Sequence, residues 1–438
     1  MPDKYKMMFE NNMNSIQSGD WKSGRHVFDE FSNMRGMMKA MCWGLFSDRE
    51  QLGYLVKERF DVAIVTAFPF TQCLFCLPHY LNISTVASSA YITERHSGSP
   101  LQSTTLPFFL GSFGSDMNMF ERFADFALSI VSPFLMCYTV TPDMSGIDPV
   151  FSNIDVNQLA KQAVLYLENS DYIFDYPKAV FPNCVHVGGL TVKPAKKLNK
   201  KLEDFMARSP EGIIFVSFGS VVPIQFAPKT MVENMLAALR QSGFNVLLKS
   251  DSDHDDGNIK FSKWLPQNDI LGHPKTKLFI SHCGKNGLFE SIYHGVPILC
   301  PPRAVDQPIN SRRVTQMGIG IHLDFNTAST ENISSAIHDC IRNETFHENM
   351  KKLSMMFRDR RETPVQRAAN AVEYVLKYGS RHMTPPAARD LTILQYAYAD
   401  IWLAIYTFIF ISLYVLGKCC QKLTRPLYRF TKLKVNLK

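Results

Sequence analysis

The sequence predicts an α/β protein with a mostly parallel sheet, followed by a helix that crosses a membrane. Three observations predict it. From Ile213 onward, short apolar runs alternate with helix-period segments. The polar residues best suited to a ligand, Ser220, His282 and Asp306 among them, fall at or just past the ends of those runs. Residues 401–417, IWLAIYTFIFISLYVLG, carry no charge and precede a basic tail.

The alternation is read element by element. IIFVSFGS is a strand ending in Gly219-Ser220, residues 229–242 have helical spacing, and FNVLLKS and residues 277–281 are strands. KNGLFESIYHG is a helix closed by Gly295, VPILCPP a strand, and INSRRVTQMG a helix leading to the strand IGIHL. Such alternation gives parallel pairing through right-handed crossovers, with ligands held beyond the carboxyl ends of the strands. Upstream, FDVAIVT (60–66), the region of residues 84–88, VLYLENSDYIFDYP and NCVHVGGL supply further strands, with a helix in FPFTQCLFCLPHYLNI. Residues 98–146, rich in Phe, Met, Ser and Pro, read as a binding segment or lid. The expected organisation is an N-terminal domain over 1–190, a polar linker over 191–212 (TVKPAKKLNKKLEDFMARSPEG), and a C-terminal domain over 213–375. A juxtamembrane segment (376–400), the span (401–417) and a basic tail (418–438) follow.

The tail holds seven Lys or Arg and no acid, so it accounts for the whole formal net charge of +7. The rest is near neutral, which excludes nucleic acid as a partner. Seventeen uncharged residues reach the lower limit for crossing a bilayer, and the positive-inside rule then puts the tail in the cytosol and the main body on the other side. Cys419 and Cys420, beside the span, are candidate palmitoylation sites. The ten Cys form no recognisable framework, and Cys73-x-x-Cys76 stands in an apolar run with no second pair, which argues against a metal or redox role. Asn82 (NIS), Asn332 (NIS) and Asn343 (NET) are glycosylation sequons that fit a lumenal body. The first residues have no apolar signal region, so the sequence is expected to lack its true N-terminus.

The chemistry concentrates in FISHCGKNGLFESIYHGVPILC, residues 279–300. Leu288, Phe289, Ile292 and Tyr293 share the helix arc that packs on a sheet, leaving Asn286, Glu290 and His294 on the other. Gly284 admits close approach to the backbone, and the free N–H groups and dipole of the helix favour an anion there. His282 would donate to the same anion. Glu290, one turn deeper, would repel phosphate but accepts hydrogen bonds from two vicinal hydroxyls, so phosphate plus ribose indicates a nucleotide. KWLPQND offers Trp264 to stack on a base and Gln267 to match a uracil edge. VDQPIN offers Asp306 and Gln307 for sugar hydroxyls. Base, ribose, diphosphate and sugar make a nucleotide sugar.

The stretch from Lys263 to Asn310, KWLPQNDILGHPKTKLFISHCGKNGLFESIYHGVPILCPPRAVDQPIN, resembles the donor-binding signature of membrane-bound UDP-glycosyltransferases of the UDP-glucuronosyltransferase type. The resemblance runs from about Phe60 through the basic tail. It implies a GT-B fold, two Rossmann-like domains facing a cleft, the N-terminal one incomplete and binding the acceptor, the C-terminal one binding UDP-sugar. By that match Trp264 and Gln267 bind uracil and Ser220 and His282 the phosphates, while Gly284, Asn286 and Gly287 shape the pyrophosphate end. Glu290 would hold the ribose, and Asp306 and Gln307 the sugar. Cys283 departs from the family's usual Gly and is expected to crowd the phosphate.

The resemblance also implies inverting, metal-independent transfer of a hexose or hexuronic acid to a hydroxyl of a small lipophilic acceptor. UDP-sugar would be co-substrate with no further cofactor, in a single-pass protein of the endoplasmic reticulum membrane. The family's general base, a His after the first strand, has no counterpart before Phe60, His26 is not given the role, and Thr66 stands where the orienting Asp belongs. The catalytic residues are therefore left unassigned, and the alternative reading is a catalytically silent UDP-sugar-binding membrane protein, alone or paired with relatives. A dehydrogenase is a distant third, since no GxGxxG follows a strand. SDSDHDDGN (250–258) mimics a DxD and, faintly, a calcium loop, but Gly257 is one place late and Ser262 replaces the closing Glu. A solvated loop without metal is expected.

Overall fold

A computed structural model of the chain describes residues 3, 5–11, 27–67, 71–92, 94–100, 107, 113–114, 116–140, 144, 151, 154–219, 224–303 and 305–435. Ser220, His26 and most of 98–118 lie outside these residues. The chain divides into two compact units, Met1–Pro385 and Pro386–Lys438.

The first unit contains two sheets. Strands β1 (Val62–Thr66), β2 (Ser84–Ser89), β3 (Leu165–Glu168) and β4 (Cys184–His186) pair in parallel in that order. Helix α1 (Val27–Ser47) sends Met38, Cys42 and Phe46 into the core beside this sheet. Cys42 bonds to Cys73, so the Cys73-x-x-Cys76 pair is split: Cys73 is a cross-link and Cys76 a buried free thiol. Spacing along the chain could not show that partner, 31 residues away.

The second sheet has the order β11-β10-β9-β5-β6-β8-β7, built from β5 (Ile213–Ser217), β6 (Asn245–Lys249), β7 (His254–Asp256), β8 (Ile259–Ser262), β9 (Thr276–Ser281), β10 (Ile298–Cys300) and β11 (Gly320–His322). Only β7 runs antiparallel. Every residue of β5 is buried, as a parallel strand covered on both faces requires. Ile214 and Val216 point into one cluster with helices α7 (Lys229–Gln241) and α11 (Thr330–Arg342), while Ile213 and Phe215 point into the opposite one. That two-residue alternation of faces is why apolar side chains fill the strand without a gap.

Three segments differ from expectation. Residues 191–212 are not wholly a linker: α6 (Lys200–Ala207), capped by Asn199, buries Leu202 and Met206 in the core of the second sheet together with the preceding Leu198. The helical spacing 198, 202, 206 lay hidden under the surrounding lysines. Residues 250–258 form no open loop but the β7–β8 hairpin, where Asp255 pairs with Lys260 and Asp256 with Arg240. No cluster of metal-ligating side chains occurs among the described residues. Helix α13 (Pro364–Tyr378), expected within the C-terminal half, packs Val372 and Val375 on Val86, Leu165 and Leu167 of the first sheet. Its apolar stripe covers a face that the local chain leaves open.

In the second unit, α14 (Ala399–Val435) carries an apolar stretch, Ala399–Lys422, that is long enough to cross a membrane. At 1.5 Å per residue its 24 residues extend about 36 Å, comfortably more than the roughly 30 Å hydrocarbon core. It is the one such helix among the described residues.

Candidate functional site

The predicted residues gather at the carboxyl ends of the second sheet. β9 runs into His282, Cys283 and Gly284, and α9 (Lys285–His294) begins immediately. Gly284 is the N-cap, and among the described residues no side chain caps the first N–H groups of α9. Those donors are left for a ligand. Beneath the helix, Leu288, Phe289 and Ile292 are buried as expected; Tyr293 is only partly so.

His282 is wedged between two glycines. A Cβ on Gly219 would lie 2.9 Å from its Cε1, and one on Gly284 would lie 2.6 Å from its Nε2. Gly219, at φ +78°, also needs a backbone that other residues rarely adopt. Burial pushes the His282 imidazole down to about 4, opposed by the Ser217 backbone and reinforced by Lys249. The Ser217 backbone is near enough to favour the charged ring, yet Nδ1 is buried without a hydrogen bond of good geometry. The ring is thus neutral at pH 7.

The sign of the pH effect follows. Unfolded chain takes up the imidazole proton near pH 6.5, whereas folded chain resists it until about 4. His282 therefore costs no stability above pH 6.5 and progressively more as pH falls from 6.5 to 4. The melting temperature is expected to drop across that window, and His282→Asn should flatten the drop. An unchanged slope in the variant would show that other groups carry it.

Cys283 has φ +61°, a left-handed backbone that explains why Gly suits the position. Its side chain does not crowd the phosphate site. It points into the core and bonds to Cys300 at the end of β10, with Cα atoms 5.6 Å apart. This corrects the expectation at Cys283 and ties the turn before α9 to the strand before the sugar loop.

At the nucleoside end, Trp264 is 74% exposed, a free indole face beside the site. Helix α8 (Gln267–Leu271) starts with Gln267, whose Nε2 donates to Glu290 Oε2 at 2.5 Å. Glu290 is buried, which raises its pKa, with the Gln267 hydrogen bond pulling the other way. Gly287 allows the two helices to meet, since a Cβ there would lie 3.2 Å from Gln267 Nε2. The residues assigned to uracil and ribose therefore touch, and the Thr191 side chain also hydrogen-bonds the Glu290 carboxylate.

Past β10, Asp306 stands at the N-cap position of α10 (Gln307–Gln316) without a capping side-chain bond, and its carboxylate accepts from Asn310 Nδ2 at 2.7 Å. The same amide donates to the Cys283 carbonyl at 3.0 Å, joining the start of α10 to the turn before α9. Gln307 Oε1 accepts from the Arg303 N–H at 2.8 Å. Burial raises the Asp306 pKa, countered first by Lys285.

Sequence reasoning missed the residues that the N-terminal half brings. Asn169 follows β3 and donates to Asn286 Oδ1 at 2.8 Å. Asp175 meets the Lys285 ammonium, and the Phe174 carbonyl accepts from Arg313 Nε at 2.9 Å. The signal was a polar run, Asn-Ser-Asp, directly after a buried strand. His294, read as part of the open arc, instead pairs its Nε2 with Asn268 Oδ1 at 3.2 Å. Asn82, Asn332 and Asn343 are all exposed, and Asn343 caps α12 (Glu344–Arg358) through Oδ1, leaving its nitrogen free of that role.

Comparison with known proteins agrees in fold and in family. The family described as "UDP-glucoronosyl and UDP-glucosyl transferase" matches residues 2–434. UDP-glucuronosyltransferase 2B33 of Macaca mulatta is 32% identical over 394 residues, 86% of this chain and 73% of that protein. UDP-glucuronosyltransferase 2B7 of Homo sapiens is 31% identical over 415 residues, 91% and 77% respectively. Among solved structures, Os79 from O. sativa in complex with UDP aligns with a TM-score of 0.54 at 16% identity, over 80% of this chain and 85% of that one. A UDP-glucose:anthocyanidin 3-O-glucosyltransferase in complex with UDP gives 0.53 at 17%, over 81% and 83%. The two parallel α/β sheets are those of the GT-B fold.

Proposed function

Because the chain belongs to the UDP-glucuronosyl and UDP-glucosyl transferase family, we propose that it transfers a hexose or hexuronic acid from a UDP-sugar to a hydroxyl of a small lipophilic acceptor, with inversion. The observation that carries this reading is the uncapped start of α9 beside His282, with Glu290 one turn deeper and Asp306-Gln307 across the turn. Spaced in this way, the groups match diphosphate, ribose and sugar in order. Trp264 supplies the base platform.

In the transfer, the acceptor oxygen loses its proton to a base and bonds to the anomeric carbon. The bond from that carbon to the diphosphate oxygen breaks on the opposite face, and its electrons leave with UDP. The N–H groups of α9 and His282 meet the charge developing on the leaving oxygen, with no metal assigned a part. No residue is assigned as the base; Thr66 ends β1 where the resemblance implies an Asp.

The proposed setting is the endoplasmic reticulum membrane, with the main body lumenal and the basic tail cytosolic. Two features support that orientation. Cys42–Cys73 and Cys283–Cys300 are both bonded cross-links in the main body, which suits an oxidising lumen.

The test is sugar transfer by the full chain in detergent, with UDP-glucose or UDP-glucuronate as donor and a panel of phenols and sterols as acceptors. Glycoside formation by mass spectrometry is expected with one donor. UDP binding without turnover on either donor would replace transfer by the silent UDP-sugar-binding reading.

A further inference from the structure

We infer that Lys285 is a donor-binding residue that exchanges the Asp175 carboxylate for the donor's diphosphate. The inference rests on the donor-site reading and adds a cation to the residues assigned to the donor, which include no Lys or Arg. Lys285 opens α9, next to the Gly284 cap, where the free N–H groups point. Its side chain is 10% exposed and its ammonium is in contact with Asp175, on the segment after β3. Phe174 and Phe289 present their rings at 5.6 and 5.9 Å from Nζ, so the charge is held in a largely apolar slot. The ammonium also feels the charges of Asp306 and Glu168.

The arrangement is suited to exchange. A lysine is a point charge on four flexible carbons, so its ammonium can move several ångströms while α9 stays still. Asp175 tolerates the loss: its second oxygen accepts from the Asp171 N–H at 2.8 Å. A diphosphate at the end of α9 carries more charge than one carboxylate and adds the helix N–H groups as partners. Burial holds the amine at about 8, so it carries its proton in most molecules at neutral pH. Because Asp175 belongs to the segment bearing Asn169 and Phe174, the exchange would also loosen one of the contacts between the two halves of the first unit.

The experiment measures UDP, UDP-glucose and UDP-glucuronate affinity by calorimetry on the full chain in detergent, with melting temperature as the folding control. Lys285→Met keeps the stem and removes the charge; it is expected to weaken all three ligands about tenfold or more. Lys285→Arg is expected to stay within about threefold of wild type, since the charge remains. Asp175→Asn frees the ammonium and should bind UDP at least as tightly as wild type. If Asp175→Asn weakens UDP as much as Lys285→Met, the pair only fixes the two halves and the proposal is wrong. Loss confined to UDP-glucuronate would assign Lys285 to a sugar carboxylate and overturn the diphosphate role. A folded Lys285→Met with wild-type affinity would do the same. Wild-type protein that binds no UDP would sink the donor-site reading itself, and this proposal with it.

Discussion

Glu290→Ala is expected to weaken UDP binding by about tenfold to a hundredfold, or roughly 1.4–3 kcal/mol, with little change in melting temperature. The carboxylate is buried one turn into α9, and one oxygen is already held by Gln267 at 2.5 Å. The carboxylate, which the Thr191 side chain also reaches, is the proposed acceptor for a pair of ribose hydroxyls. Truncation removes that acceptor and also releases Gln267, so the base and ribose contacts fail together. The effect should depend on pH with a definite sign. Burial raises the Glu290 pKa, so wild-type affinity should fall as acid neutralises the carboxylate, and the Ala variant should lack that fall. Titration calorimetry with UDP at several pH values checks both. Unchanged UDP affinity in the variant would move the ribose elsewhere and remove the basis for placing the nucleoside here.

Gly284→Val should abolish measurable UDP binding, a loss of about a hundredfold or more, by a steric route. The new Cβ would lie 2.6 Å from His282 Nε2 and 3.2 Å from its Cε1, too close for the ring to keep its place. His282 must swing out into the space where the diphosphate belongs. The backbone itself takes the substitution easily, since Gly284 is extended at φ −67°, ψ 145°. The variant should therefore fold, with near-wild-type circular dichroism, and fail in binding. If it binds UDP normally, the phosphates do not sit between His282 and α9.

The second sheet was readable because its signals are local. Ile213, Ile214, Phe215 and Val216 form an uninterrupted apolar run, and Lys285–His294 shows its buried arc and its Gly295 stop within one short stretch. The position of the proposed donor residues was readable for the same reason: most of them stand within a few positions of a strand end. Residues 191–212 misled because lysines outnumber the three apolar positions that anchor α6. The Cys283 side chain misled because nothing in its own neighbourhood points to Cys300.

By itself, then, the sequence determined the α/β class, the run of strands and helices from Ile213, the apolar stretch at the C-terminus and the strand ends where the proposed donor residues stand. Period, capping and turn chemistry are properties of neighbouring residues, and they survive in one dimension. Only the tertiary structure decided which distant groups meet: Cys42 with Cys73, Cys283 with Cys300, Asn169 with Asn286, Asp175 with Lys285, and α13 with the first sheet. Those pairings depend on how two sheets and their crossovers bring remote segments together. No spacing along the chain encodes that separation in space.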